Sequence, residues 1–312
     1  MHAASALRQL LTVSLDIHKD LIQAAGVGHL LRQTGWLKLF RTEAGFDEFS
    51  RELEVIKSFG VGFTVYDREQ IRQIEPGLKP VYCKAVLMDD TCTLSSPACL
   101  TDAYVELFQA AGGVVEQTKV TGLSQQHAGW CVQCVAQKFT ADDVVLAAGA
   151  WSAEMASWLG YQIPMLWERG YHMHLQPGDG PALTRPIHDI EAGFVMSPMD
   201  QGMRVTSGVE LTDRDAPPNY RQINYSVEMA RQAYDMKNQI DQTPWMGRRP
   251  TLTDSLPMIG AAPRHDGLWF NFGHQHLGLS LAPGSAQLLT ALIDNTPPPI
   301  DAAAFSPTRF RL

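Results

Sequence analysis

The chain has 312 residues, 45% of them hydrophobic and 19% charged, so it can bury a large core and does not read as disordered. Lys plus Arg number 25 against 33 Asp plus Glu, a formal charge of −8, which leaves no broad basic surface for nucleic acid and no polybasic patch for anionic lipid. No stretch reaches the roughly 20 apolar residues of a membrane span. The N-terminus, with His18, Lys19 and Asp20 where a cleavage site would fall, does not read as a signal peptide.

Leu7, Leu10, Leu11, Leu15, Leu21 and Ile22 recur at helical spacing and predict an opening helix over residues 5–25, with no strand before it. Trp36–Phe40 predicts a strand. Phe46, Phe49, Leu53 and Ile56 mark one face of an amphipathic helix that Gly60 closes. Phe63–Tyr66 predicts a strand leading to Asp67, the N-cap of a helix over Arg68–Ile74 that Pro76 stops. A helix over Leu100–Ala111 should end at Gly112-Gly113, with short strands from Val114 to Phe139. The apolar run Asp143–Gly149 is what a strand buried on both faces requires. Tyr171–Leu175 and Arg204–Val209 predict strands, Ser226–Ile240 a polar helix, and Ser280–Ile293 an apolar helix ended by Asn295 and three prolines. The mixture predicts an α/β fold with α+β character and a discontinuous second domain.

Five cysteines, an odd number, fit a reducing compartment rather than a disulfide framework. Cys131 and Cys134 form a C-x-x-C on a predicted strand, where positions i and i+3 face apart, so two small strand residues are expected there rather than a redox pair or half a zinc site. Gly26-Val-Gly28 and Gly60-Val-Gly62 each follow a helix rather than a strand and lack the third glycine, which makes them helix ends and not phosphate loops.

Residues 245–284 concentrate the chemistry. Arg248 and Arg249 sit in a Gly/Pro-bounded segment, where a rigidly held guanidinium can fork onto a carboxylate. Phe272-Gly-His-Gln-His-Leu-Gly278 feeds straight into a helix whose first N–H groups suit an anion.

These stretches carry a resemblance. Gly35–Thr42, Ile74–Leu78, Val144–Ser152 (VVLAAGAWS), Arg169-Gly-Tyr171, Gly247–Pro250 with Asp254 and Leu256–Gly260, Gly273-His274 with Leu277-Gly278, Ala282–Ser285 and the ending Thr308-Arg-Phe310 occur in order. With them, nearly the whole chain resembles the D-amino-acid dehydrogenases of the flavin-dependent D-amino-acid oxidase family. The resemblance implies an incomplete FAD-binding Rossmann-like domain interleaved with a mainly antiparallel-sheet substrate domain. Residues 1–30 would be a helical segment, 31–90 and 160–245 the substrate domain, and 91–159 with 246–312 the remaining flavin domain. It implies that Arg249 holds a substrate carboxylate, with Tyr171 and His276 on the substrate side. Ala148, Gly149 and Ala150 at a strand end, and Gly273, His274, Leu277, Gly278 and Leu279 at the turn, would contact FAD, and the backbone of Val120 would face the adenine. The implied reaction is oxidative deamination of a D-amino acid, or a related amino or N-alkyl amino acid, by hydride transfer to flavin N5. Electrons would pass to a quinone or other respiratory acceptor, in the cytoplasm or at the inner face of its membrane. No catalytic side chain and no metal ligand is assigned.

Two departures matter. Gln275-His276 places bulk where relatives carry small residues. The family's opening strand, G-x-G-x-x-G and acidic ribose ligand have no counterpart, so weak FAD binding by this chain alone is expected, and a non-catalytic or partner-dependent fragment is the alternative reading. A zinc enzyme is a further one: His172-x-His174 and His274-x-His276 could each put two rings on one side of a strand, though no carboxylate with ligand spacing accompanies either pair.

Overall fold

The computed structural model describes residues 2–127 and 129–312. Its larger sheet has ten strands and is organised by one of thirteen residues, Met165–Pro177. Along one edge this strand pairs with Gly202–Thr206 and Glu210–Leu211, along the other with Met236–Gln239 and Trp245–Leu252, always antiparallel. From Gly202–Thr206 the sheet continues through Phe194–Met199, Ile187–Asp189, Trp36–Phe40, Lys84–Met88 and Thr64–Asp67. Its one parallel ladder joins Ile187–Asp189 to Trp36–Phe40.

Because successive strand residues point to opposite faces, the long strand sorts its side chains in two. Tyr171, Met173 and Leu175 enter a core that includes Leu37, Leu39, Phe194, Val205 and, from the helix Arg221–Ala233, Ile223 and Ala230. Glu168, Gly170, His172 and His174 take the other face. There the helix Glu43–Ser58 covers only the far strands, through Phe49 and Leu53 against Phe40, Val86 and Met88.

A second, three-stranded sheet holds Met258–Ala261, Leu268–Phe272 and Val144–Leu146. The last two run parallel, with Val144 opposite Leu268 and Leu146 opposite Phe270, so the turns that follow them leave from the same end. The other edge of Val144–Leu146 has no partner among the described residues, and Val145 is 42% exposed. The expectation of a strand buried on both faces is thus corrected: Leu146 is buried, whereas Val145, on the opposite face, is exposed. Likewise the strands after Gly113 begin only at Val120, leaving Val114 76% exposed. In the sheet Val120–Ala141 the C-x-x-C cysteines are both free, Cys134 buried and Cys131 only partly so.

The helix predicted over 226–240 is Arg221–Ala233 instead. Tyr234 turns extended, and Met236–Gln239 is drawn into the large sheet while Arg231 holds the carbonyls of Met236 and Lys237, each at 2.6 Å. The glycines predicted to end helices do so with left-handed backbone, Gly26 at φ 68° and Gly60 at φ 70°.

The apolar helix, Gly278–Ile293, contains Pro283, which has no N–H to offer the carbonyl of Leu279 four residues back. The N-terminal helix, His2–Ala24, supplies the missing partner: His18 Nε2 lies 2.8 Å from that carbonyl oxygen and must be the donor. Nδ1 of the same ring therefore accepts from the Tyr104 hydroxyl, at 2.8 Å. One turn away Ser14 accepts from the Gly284 N–H at 3.1 Å and donates to the Leu281 carbonyl at 3.3 Å. Polar stitches and the apolar contacts of Leu10, Leu281 and Leu288 thus fix the first turns of the helix that follows the glycine-rich turn. Replacing His18 by Leu should leave the Leu279 carbonyl unpaired and lower stability by about 1–3 kcal/mol, read as a fall in the urea midpoint; an unchanged midpoint would show that this carbonyl is satisfied otherwise.

Candidate active site

The two parallel strands, Val144–Leu146 and Leu268–Phe272, deliver their turns side by side onto the strand Trp245–Leu252, which contacts both. The open end of parallel strands is where α/β proteins bind ligands. On the first turn, Gly149 has φ 54°, and open space stands where a Cβ would project. Trp167 Nε1 donates to the Ala150 carbonyl at 3.1 Å and ties the turn to the long strand. On the second, Gly273 has φ 86° and Gln275 φ 53°, and a Cβ on Gly273 would press on Leu252. His274 pairs with Ser285 Oγ at 2.9 Å. Gly278 and Leu279 open the 16-residue helix, whose N-terminus has no side-chain cap, so its first N–H groups and the positive end of its dipole stay available to negative charge.

Arg249 and Arg248 are separated by strand parity. Arg249 lies opposite Glu168 on the long strand, on the face of Gly170 and His172; Arg248 lies opposite Arg169, on the other. The Arg249 guanidinium rests on the backbone of Gly170, so closely that a Cβ there would collide with it. Its Nη1 is buried and has no partner. Burial lowers its pKa, partly opposed by the Glu168 carboxylate, and the group remains a cation. Arg248, by contrast, is engaged: its Nε donates to the Arg214 carbonyl at 2.8 Å. His276 stands near Arg249, and partial burial followed by the guanidinium charge lowers its pKa.

Tyr171 is not on that side. It is 1% exposed in the core of the opposite face, its hydroxyl donating to Glu210 at 2.6 Å and accepting from Arg169 at 3.1 Å and from the Asn219 N–H at 3.0 Å. The expected substrate contact is corrected to a core strut, because Tyr171 and Gly170 are neighbours on one strand and must face apart. Val120 lies in a separate sheet, opposite Cys134.

The sequence reading missed the rest of the open face. Across the sheet run Val195, Thr206, His172 and Trp245, with Ser197, Arg204 and His174 one step along. His172 stacks on Trp245 with centroids 4.7 Å apart and meets His174 edge-on at 5.1 Å. His174 has both nitrogens committed. Arg204 Nε, always a donor, points at Nε2 from 3.1 Å, so Nδ1 carries the proton and donates to Asp241 at 3.0 Å. His174 is thus committed on both nitrogens and His274 is bonded to Ser285, and no group of three or more His, Cys, Asp or Glu that could hold a metal ion occurs among the described residues. A signal for the missed residues exists in the alternation of His172 and His174 with Tyr171, Met173 and Leu175.

Beside this face is a cavity of ≈ 590 Å³ between the N-terminal helix (Leu15, His18), the loop Asp90–Leu94, the sheet (Ser197, Arg204, Thr206) and Leu279-Ser280.

Comparison with known proteins follows the same outline. A sequence model described as FAD dependent oxidoreductase matches residues 2–292. A D-amino-acid oxidase of Bradyrhizobium diazoefficiens is 30% identical over 315 residues, covering 98% of this chain and 74% of the relative. A D-amino acid dehydrogenase of Cereibacter sphaeroides is 30% identical over 330 residues, covering 97% and 70%. Among solved structures, glycine oxidase from Geobacillus kaustophilus superposes with a TM-score of 0.82 at 22% identity, over 97% of this chain and 82% of that one. Iminodiacetate oxidase from Chelativorans sp. BNC1 gives 0.80 at 19%, over 96% and 83%. The structural likenesses establish a shared fold. Among the described residues no helix is long and apolar enough to cross a membrane.

Burial holds both His172 and His274 at a pKa of about 4, against an ordinary 6.5. The unfolded chain therefore takes up protons that the folded one refuses between those values, so stability is complete above 6.5 and falls as the pH drops toward 4. The urea midpoint should decline across that window, and less steeply in His172→Gln and His274→Gln; equal slopes in wild type and variants would mean neither ring is neutral in the fold.

Proposed function

The chain belongs to the FAD-dependent oxidoreductase family, and on that premise we propose that it oxidises an amino acid, or an N-alkyl amino acid, at Cα. One observation carries the reading. A buried guanidinium with a free Nη1, seated on a glycine, faces the open side of the sheet next to two glycine-bearing turns and an uncapped helix start.

These residues fit the isoalloxazine end of FAD. Gly149, between Ala148 and the buried Ala150, has open space where a Cβ would stand, and Gly273, His274, Leu277, Gly278 and Leu279 form the facing turn. When bound, FAD would supply the two-electron acceptor for the hydride leaving Cα, and water would hydrolyse the resulting imino acid to a 2-oxo acid and ammonia, or an alkylamine where the substrate is N-alkylated.

The protein's own part is orientation and electrostatics. Arg249 receives the carboxylate in a fork and, because Gly170 and the flanking ladder fix the guanidinium, holds Cα in one place. The helix start at Gly278 presents positive dipole to charge that develops during the reaction. His172 and His274 stay uncharged at neutral pH, so neither competes with Arg249 for the carboxylate. His276 borders the same guanidinium and limits the room beside it.

The phosphate end of FAD finds no G-x-G-x-x-G in this sequence. The unpaired edge of Val144–Leu146 and the exposure of Val145 favour a second reading, in which a further strand completes the cofactor site at that end. Flavin retained at full stoichiometry by this chain through gel filtration would contradict it.

With saturating FAD, Arg249→Ala should cost about 2–5 kcal/mol of transition-state binding, roughly 30-fold to several thousand-fold in kcat/KM, expressed mainly in KM. Arg249→Lys should fall between, since a point charge replaces the fork. Flavin bleaching under anaerobic mixing with amino acids measures both. A KM unchanged in Arg249→Ala, or a larger loss in Arg248→Ala, would overturn the assignment.

A further inference from the structure

Arg204 is a second guanidinium on the face that carries Arg249. The ladders fix this: Arg249 is opposite Glu168 and Arg204 opposite His174, an even number of positions apart on one strand. Arg204 lines the cavity of ≈ 590 Å³, and its Nε–H is spent on His174. Asp241 fixes that arrangement from behind, accepting from the Nδ1–H of His174 at 3.0 Å and also from its backbone N–H, at 2.6 Å. The imidazole stands between Arg204 and the carboxylate of Asp241, with both of its nitrogens committed. Both Nη groups of Arg204 are left without a protein acceptor, and no carboxylate among the described residues forms an ion pair with it. Asp90, at the cavity rim, is exposed. Arg204 is partly buried; burial lowers its pKa, partly opposed by the charge of Asp241, and an anion at the Nη groups would add to that compensation.

The geometry points to Arg204 as the receptor for a second carboxylate on the substrate, which makes the substrate class an amino diacid. The inference rests on the reading of Arg249 as the clamp for the first. Gly170, under the Arg249 guanidinium, and His174, whose ring tip meets Arg204 Nε, are four residues apart, about 13 Å of strand at roughly 3.3 Å per residue. Allowing about 4 Å between guanidinium and carboxylate carbons at each end of a forked pair leaves about 5 Å between the two carboxylates. That is the reach of a five-carbon amino diacid. Thr206, between the two arginines on the neighbouring strand and also lining the cavity, meets the methylene chain with its methyl group. Arg204 binds and selects, and takes no part in bond breaking.

Binding without turnover tests this. Racemic 2-methylglutamate and 2-methylglutamine lack the α-hydrogen, differ only in the second charge, and are titrated calorimetrically into the FAD-saturated protein. The wild type should bind the diacid at least about tenfold more tightly, the size of one charge-assisted hydrogen-bonded pair. Arg204→Met should abolish that preference while leaving the amide's affinity unchanged, and Arg204→Lys should keep part of it. Equal binding of the two compounds by the wild type, or a preference that survives in Arg204→Met, overturns the inference and leaves the Arg249 reading standing. Failure of both compounds to bind overturns the Arg249 reading and this inference with it. The wild-type comparison needs no variant to fold.

Discussion

A strand paired along both edges has only two faces to offer, and the rest of the molecule follows from how Met165–Pro177 uses them. One face must be apolar, because the helix Arg221–Ala233 closes over it, and Tyr171, Met173 and Leu175 meet that demand. The other is left for chemistry. Neighbouring strands are held in register by their ladders, so they have to agree: Arg249, Thr206, Arg204 and Trp245 come to the face of Gly170, His172 and His174, while Arg248 goes to the opposite one. A shift of one residue in the Trp245–Leu252 ladder would send Arg249 to the opposite face and bring Arg248 or Pro250 opposite Glu168 in its place. Gly170 is the second half of the same constraint, since any side chain at that position would displace Arg249.

The flavin-side turns depend on a different device. Parallel pairing of Val144–Leu146 with Leu268–Phe272 brings Ala148–Ala150 and Gly273–Leu279 to one end of their sheet. The helix that begins there carries a proline that its own backbone cannot accommodate without loss, and the N-terminal helix makes good the loss through His18 and Ser14. The position of the helix start is therefore set by residues more than two hundred and fifty positions away, as the separation of 261 between His18 and Leu279 shows. The same helix walls the cavity next to Arg204, so one element serves both sides of the site.

What could be read from the sequence was local. Helix ends at Gly26 and Gly60, the N-cap at Asp67, and the glycine-rich turn before Gly278 each rest on contacts within a few residues and were legible. The pair Arg248-Arg249 stood out because Gly247 and Pro250 mark a rigid segment, but the choice of Arg249 came from the family resemblance alone. Tyr171 was misplaced for the complementary reason: which face of a strand meets a partner is decided by a register with a distant segment, and proximity to a motif says nothing of parity. The open-face row of His172, His174 and Arg204 was hidden in the same way, since their convergence exists only across the ladders. The helix expected over 226–240 ended early because Met236–Gln239 gained strand partners that periodicity cannot reveal, and Val145 is uncovered because burial of a strand depends on neighbours that its own apolarity only anticipates.

The central claim is that the guanidinium on Gly170 is where the substrate carboxylate lands, on the open face and facing the glycine-rich turns. A crystal structure of the FAD-loaded protein with 2-methylalanine, an amino acid with no α-hydrogen to lose, tests it most directly. The carboxylate should bridge the nitrogens of Arg249, with its Cα directed toward the turn Gly273–Leu279. A carboxylate bound at Arg248, or anywhere that leaves Arg249 Nη1 without an acceptor, would contradict the account.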